Sequence, residues 1–460
     1  MEENKISLEI SDSSEEKEEI VSEEPSLEEE HHHSHHHHSH HHHSHHRSHH
    51  RHHRHRKPSS RKKAAFKEFM AKNKKRIANA VVALVFVAVL IVVGFYVDNS
   101  HYKKEKKQSK ASSSAGNSYI NIKIPFFTED VVIVGPAVEK LAESYPEVTA
   151  TEIFQQLEGK ERLDTGLPVT ISYSIEGIPE GYRIKSVKVS VSESSDFSNA
   201  IVVNPKVSDK SAKIYHLKTN TKYYFRVSAT ISNGNITSVE GNFKTADTPR
   251  VLSLQGVGNA RDIGGYKTSD GKTVKQGLLY RGCEIDGAVE AKYTASEKGI
   301  SDMLTVLGIR SDMDLRGAHE AAGVTDALGA NVKHTFYDAP MYTDAFTDEG
   351  KKKIRSVFAD LAKKENYPVY LHCTHGMDRT GTVCYLLGAV LGMSEDDLMF
   401  DYQLSALYHG NLWAQDQMDT FVNRLKMQQG NNLKEKAESY LFSIGVTDQE
   451  IANLREIYLS

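Results

Sequence analysis

Apolar and polar positions change their pattern several times along the 460-residue chain, and each change predicts a different kind of structure. Residues 1–76 hold few clustered apolar side chains, which predicts a disordered tail because too little surface can be buried to offset chain entropy. Residues 77–97 form an apolar run without a charge, and a helix of that length spans roughly 31 Å, the thickness of a bilayer core. We therefore predict a single transmembrane helix at 77–97, followed by a Lys/Ser/Gly-rich linker at 98–118.

The region 119–248 is predicted to be rich in β-structure, with a β-sandwich at about 165–248. In the stretch SVKVSVS, Val187, Val189 and Val191 alternate with polar residues and so share one face of a strand. Turn-forming residues separate several such short runs, which is typical of a sandwich.

The stretch LKTNTKYYFRVSA resembles the late-strand signature of fibronectin type III domains. Leu217, Thr221 and Tyr223 match the residues around the tyrosine corner of that fold, in which a tyrosine hydroxyl bonds back to the backbone. The resemblance implies an all-β, fibronectin type III-like sandwich. We expect it to act as a spacer between the membrane and the C-terminal domain.

The pattern changes again at 249–460, where strand-like runs alternate with helical stretches. The runs are VLSLQG, TVKQGLLY, MDLRG and VYLHC. This alternation predicts an α/β domain.

Charge is distributed unevenly along the N-terminal region. Residues 1–30 carry 13 acidic and 2 basic side chains, whereas 31–76 carry 13 basic and 1 acidic. The tract 31–55 also holds 18 of the 25 histidines, which fits either loose binding of divalent metal or a solvated low-complexity segment. The overall net charge of −4 excludes a globally basic nucleic-acid-binding protein, and three cysteines exclude a disulfide scaffold.

The flanks of the apolar run predict its orientation in the membrane. Residues 57–76 carry nine Lys and Arg, and 98–117 carry five. The positive-inside rule therefore favours a single-pass protein of the cell membrane with a cytoplasmic N-terminus and an extracellular C-terminal region. The reversed topology remains an alternative, because a chain without paired cysteines also suits a reducing compartment.

Candidate chemistry is concentrated in the decapeptide HCTHGMDRTG, residues 372–381. A strand running through a short loop into a helix directs successive backbone amides and the positive end of the helix dipole toward one point, which makes an anion-binding nest. The residues expected to bind phosphate are Thr374, His375, Gly376, Met377, Asp378 and Arg379.

The residue types in this loop suit cysteine-based phosphate chemistry. At a helix N-terminus the pKa of a thiol falls from about 8.5 toward roughly 3.5–7.5, which would make Cys373 a nucleophilic thiolate. Arg379 offers a planar fork for two phosphoryl oxygens. Thr380 can donate a hydrogen bond to the cysteine sulfur. The predicted reaction is hydrolysis of a phosphomonoester through a cysteinyl-phosphate, with no cofactor.

The loop and several other blocks resemble the atypical bacterial and fungal tyrosine-phosphatase family, within the Cys-x5-Arg protein-tyrosine phosphatase superfamily. The matching positions are His372, Cys373, Gly376, Asp378, Arg379, Thr380 and Gly381 in the loop, and Asn259, Arg261, Asp262, Gly264, Gly265, Tyr266, Arg281, Asp314, Leu315, Arg316, Glu320 and Asp401–Ser405 elsewhere. The resemblance implies a phosphatase acting on phosphotyrosine, with some relatives also accepting phosphoserine, phosphothreonine or phosphoinositides. Met377 replaces the usual loop lysine, which argues against phosphoinositides, and Gly282 stands where serine commonly follows Arg281.

Three aspartates are candidates for the acid that protonates the leaving group. Asp378 lies inside the loop and resembles the loop aspartate proposed as the acid in related phosphatases, and it is our preferred candidate. Asp314 belongs to the Asp-Leu-Arg stretch that is often regarded as catalytic in the family, although it can equally hold Arg316. Asp338 lies 35 residues before Cys373, near the spacing of the mobile-loop acid in ordinary tyrosine phosphatases.

The sequence therefore predicts a membrane-anchored phosphatase whose partners are phosphorylated proteins or peptides, with no nucleic acid bound. The alternatives are a phosphate-binding pseudophosphatase, a surface adhesion protein that uses the sandwich, and a phosphoinositide phosphatase. Retention of Cys373, Arg379, Thr380 and Asp378 argues against an inactive site, whereas Met377 keeps that alternative open.

Overall fold

A computed structural model describes residues 120–157 and 163–460, which fall within one compact unit. The predicted tail, transmembrane helix and linker, and the histidine tract, lie outside these described residues. Within the two described ranges, no helix is long and apolar enough to cross a membrane.

The predicted β-sandwich is present as small antiparallel sheets. Its strands are β1 Asn121–Lys123, β2 Val169–Ser172, β3 Ser174–Glu176, β4 Ile184–Ser192, β5 Ile201–Val203, β6 Ser211–Ile214, β7 Lys222–Ile231 and β8 Ile236–Lys244. One sheet has the order β5-β4-β7-β8, while β2 pairs with β6 and β1 pairs with β3. The apolar positions of the alternating run in β4, Val187, Val189 and Val191, are all buried in a core shared with β7. The sandwich includes β1, so it begins about 45 residues before the predicted boundary.

The geometry expected of a tyrosine corner is also present. The Tyr223 hydroxyl accepts a hydrogen bond from the Lys218 backbone amide at 2.9 Å, and the Tyr223 ring is buried against Phe243. The bond ties the start of β7 to the preceding turn. Assignment of this sandwich to the type III family stays a prediction.

The C-terminal region forms the predicted α/β domain around one sheet. Its strands are β9 Arg261–Asp262, β10 Leu279–Gly282, β11 Ser311–Asp314, β12 Lys333–Phe336 and β13 Val369–His372. The order is β12-β11-β13-β10-β9, parallel except for the β9–β10 pair. The strand at the centre is thus β13, whose residues are all buried. The run VLSLQG forms no strand, and only Val251 makes an isolated bridge, to Arg261.

Helices pack around the sheet and also form in the segment between β1 and β2. Those of the described residues are α1 Pro136–Ser144, α2 Ala150–Gln156, α3 Glu297–Thr305, α4 Asp348–Leu361, α5 Asp378–Leu391, α6 Glu395–His409, α7 Gln415–Lys426, α8 Leu433–Ser443 and α9 Asp448–Tyr458. Most α5 side chains are buried, as expected of a helix that is apolar around most of its circumference and lies in the core.

The helices α1 and α2 lie inside the region 119–248 that the sequence predicts to be rich in β-structure. Val138 and Leu141 of α1 and Ile153 of α2 are fully buried in a cluster that includes Phe400 and Leu404 of α6. The apolar run DVVIV, residues 130–134, contributes only isolated bridges through Val131 and Val134. This segment therefore packs as part of the α/β domain, although it lies between β1 and β2 of the sandwich in the chain.

The sandwich is held directly against the α/β domain. Gln276 donates to the Thr219 carbonyl and accepts from its amide, both at 3.0 Å. Buried Arg250 donates to the carbonyls of His216 and Leu217 in the sandwich and to Asp262 in β9. The sandwich is thus packed on the α/β domain, which a role as a simple spacer would not require.

Candidate active site

The decapeptide lies where the sequence pattern places it, at the carboxyl end of the central strand. His372 ends β13, and Asp378 begins α5, so Cys373 and the residues up to Met377 form the connecting loop. This edge of a parallel sheet is where ligand crevices open. A cavity of about 340 Å³ opens there, lined by Val289, Met341, Tyr342, Cys373, Thr374, His375, Asp378, Arg379, Trp413, Ala414 and Gln417.

The loop carbonyls are all bonded away from this cavity. The Thr374 carbonyl accepts from the Glu284 amide at 3.0 Å, and the Gly376 carbonyl accepts from Arg281 Nη2 at 2.7 Å. The His375 carbonyl accepts from Asn259 Nδ2 at 3.1 Å. Because a trans peptide points its carbonyl and its amide in opposite directions, the amides that follow are turned the other way. The loop can therefore present amides to an anion, as the sequence predicts.

Gly376 is the position at which only glycine fits this loop. Its φ is +65°, and a Cβ added there would lie 2.2 Å from the Gly282 carbonyl oxygen. A side chain would both strain the backbone and push the loop away from β10. A Cβ added at Gly282, at the end of β10, would lie 2.4 Å from the Tyr370 hydroxyl oxygen, which explains why glycine follows Arg281.

Two buried arginines that share the Asp401 carboxylate hold the loop 373–377 in place. Asp401 accepts from Arg261 Nε at 2.7 Å and from Arg281 Nη1, and all three side chains are buried. Arg281 reaches the loop directly, whereas Arg261 bonds the Asn259 side chain, which in turn holds the His375 carbonyl. The upstream blocks that resemble the phosphatase family thus support the loop and do not line the cavity.

The side chain of Arg379 is oriented by a carboxylate. Its Nη1 donates to Glu320 Oε2 at 2.9 Å, and the Gly317 amide bonds the other Glu320 oxygen. Burial opposes the charge of Arg379, but Glu320 and Cys373 outweigh it and raise the pKa of the guanidinium. Arg379 is therefore a fixed cation beside Cys373.

His372 supplies a second positive charge next to the nucleophile. Its Nε2 lies 3.0 Å from Asp312 Oδ1 and 3.8 Å from Asp314 Oδ2. Burial opposes its protonation, but Asp314 and Asp312 outweigh burial and raise the pKa of His372 to about 9. At neutral pH His372 is a buried cation that stiffens the end of β13.

The structure separates the three candidate acids. Asp378 lines the cavity with Cys373. Asp314 is fully buried, bonds Arg316 and does not line the cavity; although burial raises its pKa, His372, His334 and Arg316 hold it well below the usual range. Asp338 is exposed and pairs with Lys353 at 2.5 Å. Geometry therefore favours Asp378, because among the three aspartates it alone lines the cavity with Cys373.

Two loop residues differ from their expected roles. Thr380 Oγ1 is buried in the first turn of α5 and makes no hydrogen bond within the described residues, so the expected bond to Cys373 is not present. The Met377 side chain is buried in the core, so only its backbone amide is available to phosphate. The helix begins at Asp378, which turns the side chain before it inward.

The mouth of the cavity is apolar. Val289, Met341 and Trp413 are 47%, 40% and 49% exposed. The Trp413 ring meets the rings of His375 and His409 edge to face, and His375 Nε2 lies 2.6 Å from Glu290 Oε1. Of the residues that line the cavity, Arg379 is the only lysine or arginine.

Several of these residues could not be found from the sequence. Tyr342 lies 36 residues before its hydrogen-bond partner Asp378, and Glu320 lies 59 residues before its partner Arg379. Trp413 lines the cavity without belonging to any sequence motif. Glu320 had a signal in the block that resembles the family, but no role followed from it. In the described part of the chain, no three histidine, cysteine, aspartate or glutamate side chains come together as a metal-binding group.

Comparisons with known proteins agree with this geometry. Residues 252–460 match the tyrosine phosphatase family. A tyrosine-protein phosphatase of Nostoc commune is 27% identical over 204 residues, covering 34% of this chain and 67% of that protein. An inferred tyrosine-protein phosphatase of Cupriavidus necator is 27% identical over 175 residues, covering 33% of this chain and 61% of that protein.

Among solved structures, the core catalytic domain of the PP-IP phosphatase SIW14 from S. cerevisiae, in complex with citrate, is 14% identical. It covers 31% of this chain and 80% of that chain with a TM-score of 0.23, too low to support a structural conclusion. The family match over residues 252–460 and the two relatives together support a phosphatase domain in this part of the chain.

Proposed function

We propose that this protein hydrolyses aryl phosphomonoesters, phosphotyrosine in proteins or peptides above all, through a cysteinyl-phosphate on Cys373. The observation that carries the proposal is the meeting of Cys373, Asp378 and Arg379 in one cavity at the carboxyl end of β13. A nucleophile, a proton donor and a cation for the phosphoryl oxygens are the three groups that this reaction requires.

The reaction has two steps. The Cys373 thiolate attacks phosphorus, the S–P bond forms, and the P–O bond to the leaving group breaks while Asp378 gives that oxygen its proton. The loop amides and Arg379 stabilise the equatorial oxygens. In the second step the Asp378 carboxylate takes a proton from water, which attacks phosphorus and releases phosphate and the thiolate.

The mouth of the cavity supports an aromatic substrate. Val289, Met341 and Trp413 offer apolar surface at the position where a phosphotyrosine ring would leave the loop. Because Arg379 is the single strong cation lining the cavity, further phosphates on an inositol ring would find no partner there. The names of the two relatives also support phosphotyrosine.

The site of action belongs to the same proposal. The apolar run 77–97 and its basic N-terminal flank support anchoring by a single helix, with the catalytic domain outside the cell. Dephosphorylation would then act on phosphoproteins or phosphopeptides at the cell surface.

The test compares the full chain with Cys373→Ser and with Cys384→Ser, a buried cysteine on α5 that does not line the cavity. Phosphate release is measured from a phosphotyrosine peptide, a phosphoserine peptide and a soluble phosphoinositide, with a chelator present. We expect release mainly from phosphotyrosine, lost in Cys373→Ser and kept in Cys384→Ser. No release from a folded protein would instead support a phosphate-binding pseudophosphatase, and preference for the phosphoinositide would refute the substrate class.

A further inference from the structure

Two buried tyrosines form a hydrogen-bonded chain that ends on Asp378. The Tyr342 hydroxyl donates to Asp378 Oδ1 and lies 2.7 Å from the Tyr402 hydroxyl. Tyr342 begins the 3-10 turn Tyr342–Phe346, Tyr402 belongs to α6, and each is 1% exposed. Three separate elements therefore converge on one carboxylate beside Cys373.

Tyr342 is fixed in place by its backbone as well as by its ring. Its φ is +51°, in the left-handed region that a bulky residue rarely adopts, and its amide donates to Thr382 Oγ1 at 2.8 Å. Such strain persists only where the surroundings hold it, and it is concentrated at functional sites. The ring also meets that of Tyr402 edge to face.

The single hydroxyl proton of each tyrosine sets the donor–acceptor direction of these hydrogen bonds. Burial raises the pKa of both tyrosines, so each keeps its single hydroxyl proton at neutral pH. The Tyr342 hydroxyl donates its hydrogen bond to Asp378 Oδ1 and accepts one from the Tyr402 hydroxyl. The other carboxyl oxygen of Asp378, Oδ2, is left to carry the proton that a leaving group needs.

We propose that Tyr342, supported by Tyr402, is a positioning residue that turns Asp378 so that Oδ2 faces the leaving-group oxygen. The same bond holds the carboxylate in place after its proton has left. This inference rests on the proposed function, in which Asp378 is the acid, and assigns the group that orients it.

The test measures how the rate depends on the leaving group. The full chain and its Tyr342→Phe, Asp378→Asn and doubly substituted forms hydrolyse nitrophenyl phosphate and phenyl phosphate; phenol has about the pKa of tyrosine, roughly 10, and needs protonation more. General acid catalysis is worth about 10²–10⁴-fold, so partial misalignment in Tyr342→Phe should lower kcat/KM on phenyl phosphate by about tenfold. We expect a loss in kcat/KM of no more than about twofold on nitrophenyl phosphate, because kcat/KM reports only the steps up to departure of the leaving group, and nitrophenol needs protonation less.

The matched control is Tyr440→Phe. The Tyr440 hydroxyl is also buried and donates to the Ala345 carbonyl at 2.6 Å, in the same 3-10 turn but away from Asp378. Its removal should leave the ratio of the two rates unchanged. Tyr402→Phe, one bond further from Asp378, should change the ratio in the direction of Tyr342→Phe but less.

The double substitution distinguishes positioning from structural damage. If Tyr342 acts through Asp378, Tyr342→Phe should cost nothing further in the Asp378→Asn background. Equal losses on both phosphates, or losses that add to those of Asp378→Asn, would overturn the inference. If Asp378→Asn leaves phenyl phosphate hydrolysis intact while Cys373→Ser abolishes it, the acid in the proposed function is wrong and the inference fails with it. A normal effect of Asp378→Asn with none of Tyr342→Phe would refute the positioning role alone.

Discussion

Replacement of Asp401 by asparagine should both destabilise the protein and slow catalysis. The carboxylate of Asp401 lies between Arg261 and Arg281, whose side chains are 3% and 1% exposed. Burial alone would raise the pKa of Asp401, but the two arginines outweigh it and lower that pKa, so the carboxylate is charged at neutral pH. Asp401→Asn keeps the shape and leaves two buried guanidinium groups without their shared anion.

The size of both effects follows from the contacts. Removing one partner of a buried ion pair costs about 3–5 kcal/mol, a large part of the roughly 5–15 kcal/mol that stabilises a typical domain. Arg281 holds the Gly376 carbonyl, and Arg261 holds His375 through Asn259, so the loop amides lose their alignment. Loss of one preorganised donor lowers kcat by about 10²–10³-fold, and we expect a decrease of about 100-fold.

The assay combines urea denaturation with phosphate release from a phosphotyrosine peptide. The control is Asp396→Asn, which removes an exposed carboxylate from the first turn of the same helix, α6. Asp396→Asn should change the free energy of unfolding by less than about 0.5 kcal/mol. A loss below about 1 kcal/mol in Asp401→Asn, or an unchanged kcat, would contradict the view that this carboxylate holds the loop through two arginines.

Two further predictions concern the strand and the N-terminal helices. In Asp312→Asn, the pKa of His372 should fall from about 9. A histidine whose pKa is raised by folding stabilises the protein fully below its unfolded pKa of about 6.5, and this stabilisation is lost as the pH rises through the folded pKa. The free energy of unfolding of the wild type should therefore fall by up to about 3 kcal/mol between pH 6 and 10. The variant should lose less in thermal melts over that interval, and an identical pH dependence would refute the ion pair. A fragment of residues 249–460 should unfold at lower urea concentration than 120–460, because it uncovers Phe400 and its neighbours, each worth about 1.5–3 kcal/mol when buried; equal midpoints would contradict the packing of α1 and α2.

The sequence was sufficient for most features that depend on neighbouring residues, although the strand-like run VLSLQG forms no strand. The strand before the loop, the helix after it and the glycine in the loop are all local, and the structure has a strand ending at His372, a helix beginning at Asp378 and Gly376 with a positive φ. The alternating run around Val189 has the strand period, and the structure has β4 there. Local periodicity decides these elements because backbone geometry and burial act on consecutive residues.

Sequence reasoning was insufficient where the deciding contact joins distant segments. The pairing of Asp314 with Arg316 could be expected from their spacing, but nothing near Asp314 shows that it also pairs with His372 and lies outside the cavity that Asp378 lines. Tyr342 lies in a 3-10 turn whose neighbours suggest an ordinary loop, yet its hydroxyl meets Asp378. Such roles depend on which surfaces the sheet order brings together, and periodicity carries no information about that.

Domain boundaries drawn from the sequence also separate residues that act together. Asp164, well before the segment that matches the family, accepts a hydrogen bond from the Asn259 amide at 3.2 Å. Asn259 holds the His375 carbonyl, so a single residue connects Asp164 to the loop 373–377. Arg250 ties the sandwich to β9 in the same way, through buried bonds that cost free energy if they are left unmade. The geometry of the loop 373–377 therefore depends on residues from before β2 and from after β8, because the region before 249 supports the residues that hold the loop carbonyls.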